Sequence, residues 1–263
     1  SAIILPSDSF KKIGYFMGTI GDTNEAIHYL QKAEQFAEPN SKELAAIQDN
    51  IGFYYLEQNQ IENAKRYLSK AETVAKNIND QIRYAKVLGN LGLLEYKKGN
   101  LDKAVELLRK DLTISKKFRS HNNTNYARIL LSKILIDKNQ INEAKSLLSE
   151  AGKFAESKMQ LKKDVFEIEQ LKLRIAQQEN NPEQELISLR KLNELEKQLT
   201  NSDSEKNLER SNILAQKERY ANKLSLANAQ FEKEQLKNKA IIVVSVLLFF
   251  IIINAYHAFK ELA

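Results

Sequence analysis

Residues 91–108 read LGLLEYKKGNLDKAVELL, and the rest of the chain can be ordered around them. Leu91-Gly92 sets a glycine inside an apolar run of good helix formers, Gly99-Asn100 breaks the run, and Leu101 resumes it. Ala104 and Leu108 then stand four residues apart, one helical turn. Glycine and asparagine tolerate the left-handed conformation that closes a helix at its C-terminus. Asn100 and Asp102 suit the first turn of the helix that follows. An alanine in that position marks a close crossing with no space for a larger side chain. The stretch therefore predicts two helices folded against one another through a tight turn.

The same signal recurs along the chain. Its turns are Gly21-Asp22-Thr23-Asn24-Glu25-Ala26, Asn59-Gln60-Ile61-Glu62-Asn63-Ala64 and Asn139-Gln140-Ile141-Asn142-Glu143-Ala144, so the alanines lie 38, 40 and 40 residues apart. Upstream stand Ile13-Gly14, Ile51-Gly52 and Leu131-Ser132; downstream stand Leu30, Leu68 and Leu148. A further small residue follows at Ala33, Ala71 and Ala151, whereas the third unit has Asp111 there. A helical glycine costs about 1 kcal/mol against alanine, so its return at matching places implies a close helix approach that offsets the cost. From 159 to 199 a fifth, degenerate unit is expected, with Asn180-Asn181-Pro182 at its turn and Pro182 at a first helical position.

These residues resemble the tetratricopeptide repeat family over about Ser7 to Ser157. The spacing exceeds that family's 34 residues, as in its peptide-sensing relatives, and Phe10, Gln48, Leu88 and Arg128 stand where its tryptophan belongs. The resemblance implies an all-α, right-handed superhelical array of helix-turn-helix units over residues 7–199, with the first helix of each unit facing a concave groove.

Residues 200–239 contain neither glycine nor proline. Ile213, Tyr220 and Ala227 are spaced by sevens, as are Leu224 and Phe231, with Lys217 and Glu234 interrupting the seam. Two readings fit this stalk: a coiled coil that pairs two copies, or one solvated helix. Residues 240–256, AIIVVSVLLFFIIINAY, are apolar on every side of a helix, and a transmembrane helix is predicted over 240–257. Lys233, Lys237 and Lys239 precede it and only Lys260 follows. By that count the repeats face the cytoplasm.

Only 8 Gly and 3 Pro in 263 residues favour helices over sheets. Zero cysteine excludes disulfides, thiol nucleophiles and thiolate metal sites. His28, His121 and His257 show no ligand spacing, so no metal and no cofactor are predicted. The net charge of +6 is spread among interleaved acids and bases, as in Arg190-Lys191-Leu192-Asn193-Glu194-Leu195-Glu196-Lys197. That pattern reads as solvated helix faces, and no nucleic-acid binding is expected. No nucleophile–base set, phosphate loop or paired-carboxylate motif appears, and no enzymatic activity is predicted.

A binding groove is the remaining candidate site. Asn50 and Asn90 each precede a packing glycine by two residues. In the peptide-binding repeats that the chain resembles, asparagines on the groove face form a ladder to a ligand's backbone. Helical phase brings Asp49, Phe53, Lys86, Tyr96, Lys97, Tyr126 and Lys133 near the same face, while Tyr55 is expected to pack between helices. The order of parts also resembles bacterial membrane-bound signalling proteins, in which extracytoplasmic repeats lead to a cytoplasmic histidine kinase or transcriptional regulator. This implies a single-pass membrane sensor or adaptor that takes a protein or peptide ligand and relays signals through a dimeric stalk. A tail-anchored cytoplasmic scaffold is the alternative that the lysine count supports.

Overall fold

Left-handed backbone positions punctuate the chain. The computed structural model describes residues 7–158, 162–199, 229–230, 232–239 and 241. Within these, φ is positive at Gly21, Asn40, Asn59, Asn79, Gly99, Arg119, Asn139 and Asn180. Each of these residues separates two helices. The helices are α1 Ser7–Thr19, α2 Thr23–Phe36, α3 Lys42–Glu57, α4 Ile61–Asn77 and α5 Gln81–Lys97, followed by α6 Leu101–Lys117, α7 His121–Asp137, α8 Ile141–Glu156 and α9 Lys162–Gln178. Residues 182–199 form α10. No strand occurs among the described residues.

The repeated turns share one hydrogen-bond pattern. The amide just past the left-handed residue reaches back five residues: Asp22 to the Met17 carbonyl (2.9 Å), Gln60 to Tyr55 (2.8 Å), Asn100 to Glu95 (2.9 Å) and Gln140 to Leu135 (2.7 Å). This closes each helix by satisfying a terminal carbonyl. The turns between hairpins use the same device, with Asp80 bonding to Ala75 and Ser120 to Ser115, both at 2.9 Å. Side chains then cap some of the next helices: Asp22 accepts from the Glu25 amide (3.2 Å) and Asp80 from the Arg83 amide (3.0 Å).

Packing within a hairpin follows the small-residue register. A Cβ added at Gly14 would lie 2.7 Å from Leu30 Cγ, at Gly52 2.7 Å from Leu68 Cγ, and at Gly92 2.8 Å from Leu108 Cγ. Ala26, Ala64, Ala104 and Ala144 are wholly buried beside them. In the fourth hairpin the small residue is Ser132, whose hydroxyl donates to the Arg128 carbonyl (2.7 Å). Tyr55 packs between helices, its ring 5.7 Å from that of Tyr67, and Gln31 donates to both hydroxyls at 3.2 Å.

Each hairpin's second helix packs on the first helix of the next, α2 on α3, α4 on α5, α6 on α7 and α8 on α9, and first helices also meet one another. α3 touches α5, α5 touches α7 and α7 touches α9, and no comparable contact joins successive even-numbered helices among α1–α9. The odd-numbered helices therefore form the inner wall of the array.

The chain divides into two units, 1–204 and 205–263. Of the second, residues 229–230, 232–239 and 241 are described; they are helical, and Leu236 and Ile241 are exposed. The heptad positions Ile213, Tyr220, Leu224, Ala227 and Phe231, and all of the apolar segment 240–257 except Ile241, lie outside the described residues. Among the described residues, no helix is long and apolar enough to cross a membrane.

Candidate ligand groove

The inner wall holds a groove of about 450 Å³. Helix α3 contributes Asn50, Phe53 and Tyr54; α5 contributes Lys86 and Asn90; α7 contributes Asn122, Asn123 and Tyr126, with Ser120 just before it. Five of the nine residues predicted from sequence thus line one cavity. The phase that selects Tyr126 also selects Asn122 and Asn123, four and three residues earlier, which sequence reasoning missed. Tyr54 was missed for a different reason. Its ring lies over Gly18, where an added Cβ would stand 1.8 Å from the hydroxyl, a contact across hairpins that no local pattern encodes.

Asp49 lies one layer below the groove and is completely buried. Its Oδ2 pairs with Arg83 (2.8 Å), and its Oδ1 accepts from Asn90 Nδ2 (2.7 Å). Asn50 donates its amide to the Ala46 carbonyl (2.7 Å) and to the Tyr15 hydroxyl (3.3 Å). Asn123 donates to the Asp111 carboxylate and to the Ser115 hydroxyl (2.7 Å). The NH₂ ends of all three amides are held by the protein, and their carbonyl oxygens are left open to the groove. Asn122, the fourth amide lining the groove, makes no such bond within the described residues.

Among the described residues, Lys86 is the sole charged side chain lining the groove. It is open to solvent but walled by protein on several sides, and this burial lowers its pKa, with Asp49 partly opposing. No described carboxylate forms an ion pair with it. Tyr126 buries its hydroxyl without a partner among the described residues, and burial drives its pKa up. Phe53 meets Tyr54 edge-on with ring centres 5.8 Å apart.

Tyr96, Lys97 and Lys133 are not among the groove's lining residues. The Tyr96 hydroxyl donates to Asp137 (2.8 Å), which also pairs with Arg174 (2.6 Å), and Lys133 stands 5.5 Å from the Tyr96 ring centre. Burial first, and then the bond to Asp137, push the Tyr96 phenol up to about 12. Lys97 is exposed at the end of α5. Nearby on α9, Glu167 is raised by burial, with Lys133 opposing. Among the described residues no cluster of His, Cys, Asp and Glu is arranged to hold a metal ion.

Family models described as tetratricopeptide repeat match residues 45–78 and 85–117, which are α3–α4 and α5–α6. The chain carries tetratricopeptide repeats. No curated protein matches the sequence. Among solved structures, the chain is similar to the nearly identical TPR-like repeats of a Podosopora anserina protein named for kinesin light chain, at 15% identity and TM-score 0.54, covering 75% of this chain and 99% of that one. It is also similar to a Rap protein complexed with competence and sporulation factor, at 15% identity and TM-score 0.56, covering 74% and 65%. Aspartyl phosphate phosphatase F from Bacillus subtilis matches at 16% identity and TM-score 0.61, covering 75% and 51%. The chain spans less than two thirds of the last two, and at these identities the likeness is one of fold.

Proposed function

We propose that the repeats bind an extended peptide, or an exposed strand of a protein partner, along α3, α5 and α7, with an acidic group of the ligand on Lys86. The observation that carries this reading is the groove's chemistry: one unpaired cation among open amide carbonyls, with aromatic walls. Amide oxygens accept from backbone N–H groups of any sequence, aromatic rings bury side chains, and the lysine supplies selectivity. A Rap protein of similar fold is complexed with competence and sporulation factor, which supports reading these repeats as a ligand-binding array. The chain is, in this reading, a non-enzymatic sensor or adaptor. Residues 240–257 hold it at a membrane, and occupancy of the groove is passed on through the stalk.

Retention of a random hexapeptide pool on the full chain, read by mass spectrometry, tests the binding. Retained peptides should be enriched in Asp and Glu, and Lys86→Glu should reverse that preference and weaken binding about tenfold or more. Equal retention by the wild type and Lys86→Glu, or none by either, would sink the reading.

A further inference from the structure

Among the described residues, Asp49 and Asp111 lie under the groove, and of these two Asp49 alone is paired with a cation. Asp49 is neutralised by Arg83. Asp111, equally buried, occupies the place where the other hairpins have Ala33, Ala71 and Ala151. Its Oδ1 accepts from Ser115 (2.7 Å) and from Asn123, while its Oδ2 is sealed from solvent without any partner. The Oδ2 lies against the Gly89 backbone, where an added Cβ would stand 2.5 Å away, and the Tyr126 ring closes the same space at 3.4 Å.

An ionised carboxylate accepts hydrogen bonds and cannot donate, so it demands the NH₂ end of any amide facing it. This holds Asn90 over Asp49 and Asn123 over Asp111, with their oxygens toward the groove. A neutral acid donates from one oxygen and still accepts at the other, so either end of an amide can face it and the constraint is lifted. Resting on the peptide-groove reading, we propose that Asp49 and Asp111 are positioning residues that decide which ends of the Asn90 and Asn123 amides meet the ligand. Proton uptake by Asp111 releases Asn123 to turn its NH₂ end toward the groove.

The surroundings favour such a switch at Asp111 alone. Its own helix offers Ser115, α5 offers the bare backbone at Gly89, and α7 offers Asn123 and the neutral Tyr126. The charged group whose field reaches it is Asp49 on α3, an acid like itself; Arg83 is taken by Asp49, and Lys86 forms no pair with Asp111. Burial, with Asp49 adding to it and the bonds from Ser115 and Asn123 opposing, raises Asp111 to about 7.

The test uses the full chain in detergent, isotopically labelled, with the Asp111 carboxyl carbon and the side-chain amides of Asn123 and Asn90 followed by NMR from pH 5 to 9. The Asp111 carboxyl and the Asn123 amide should shift with one shared midpoint, the Asn90 amide should not, and the Asn123 transition should vanish in Asp111→Asn. Should that variant fold poorly, Asp111→Ala, the residue type of the other hairpins, serves the same purpose. An Asn123 amide that stays flat while Asp111 titrates, or that still titrates without Asp111, overturns the proposal. With the random hexapeptide pool, the sets retained at pH 6 and pH 8 should differ for the wild type and coincide for Asp111→Asn. Identical sets for the wild type overturn the link to recognition. An absence of any retained peptide defeats the peptide reading instead, and the NMR arm then decides the switch by itself.

Discussion

Asp111 is a side chain whose charge works against its own fold. Desolvation raises its folded pKa above the ordinary carboxylate value of 3.8 to about 7. The folded state therefore binds the proton more tightly than the unfolded chain does. The stability contribution is whole below the unfolded value and declines as pH rises from about 4 through 7. A shift of that size corresponds to a loss on the order of a few kcal/mol by pH 8. Asp111→Ala should therefore raise the thermal midpoint clearly at pH 8. At pH 5, where only part of that loss has developed, the rise should be much smaller, since the neutral acid's bonds to Ser115 and Asn123 are lost as well. Thermal melts of both proteins at the two pH values check this, and a variant that is destabilised equally at both would show that Asp111 is not the titrating group. The preference for alanine at Ala33, Ala71 and Ala151 is then the ordinary packing solution, and the third hairpin departs from it at the floor of the groove.

Within an element pair, the register between a helical glycine and the leucine opposite is the unit of stability. Gly52→Ala would gain helix propensity of about 1 kcal/mol. Its new Cβ, however, would meet Leu68 at 2.7 Å on two side-chain carbons and at 3.2 Å on the backbone nitrogen, which cannot move aside cheaply. Overpacking of this kind costs roughly 1–3 kcal/mol, so a net loss of stability is expected. Leu68→Ala removes the clashing atoms, so the double variant should lose less than the two single losses combined; unfolding by urea across the four proteins reads the coupling. Simple addition would show that the two residues do not share the contact. This register was legible in the sequence because every part of it is local: a glycine, a left-handed turn, an alanine and a leucine at fixed offsets. The turns at Asn40, Asn79 and Arg119 lack the alanine-and-leucine register that marks the four repeated turns, and Arg119, no turn residue by type, takes its left-handed φ where Ser120 bonds back to Ser115. The groove was half legible for the same reason. Helical phase places Asn50, Lys86 and Tyr126 on one face. By contrast, the contacts of Tyr54 over Gly18 and of Asn123 over Asp111 join separate helices and depend on how these pack.

For the whole molecule, two arguments about the membrane oppose one another, and the protein's composition offers a direct way to decide. Three lysines precede the apolar segment and one follows, which by charge alone keeps the repeats in the cytoplasm. The sensor reading requires them outside, where a free peptide can reach the groove without crossing a bilayer. Because the chain contains no cysteine, Lys65→Cys on the exposed side of α4 creates a single thiol far in sequence from the groove amides of α5 and α7. We expect the full chain to sediment with membranes and a chain lacking residues 240–257 to remain in the supernatant. Recovery of both in the supernatant would dismiss the anchor. With the anchor established, a maleimide that cannot cross the inner membrane should label the new thiol in intact cells, as the sensor reading demands. Protection until the cells are broken would instead place the groove in the cytoplasm. Its acidic ligand would then be a strand of a protein partner recruited to the membrane, with the chain acting as a tail-anchored scaffold.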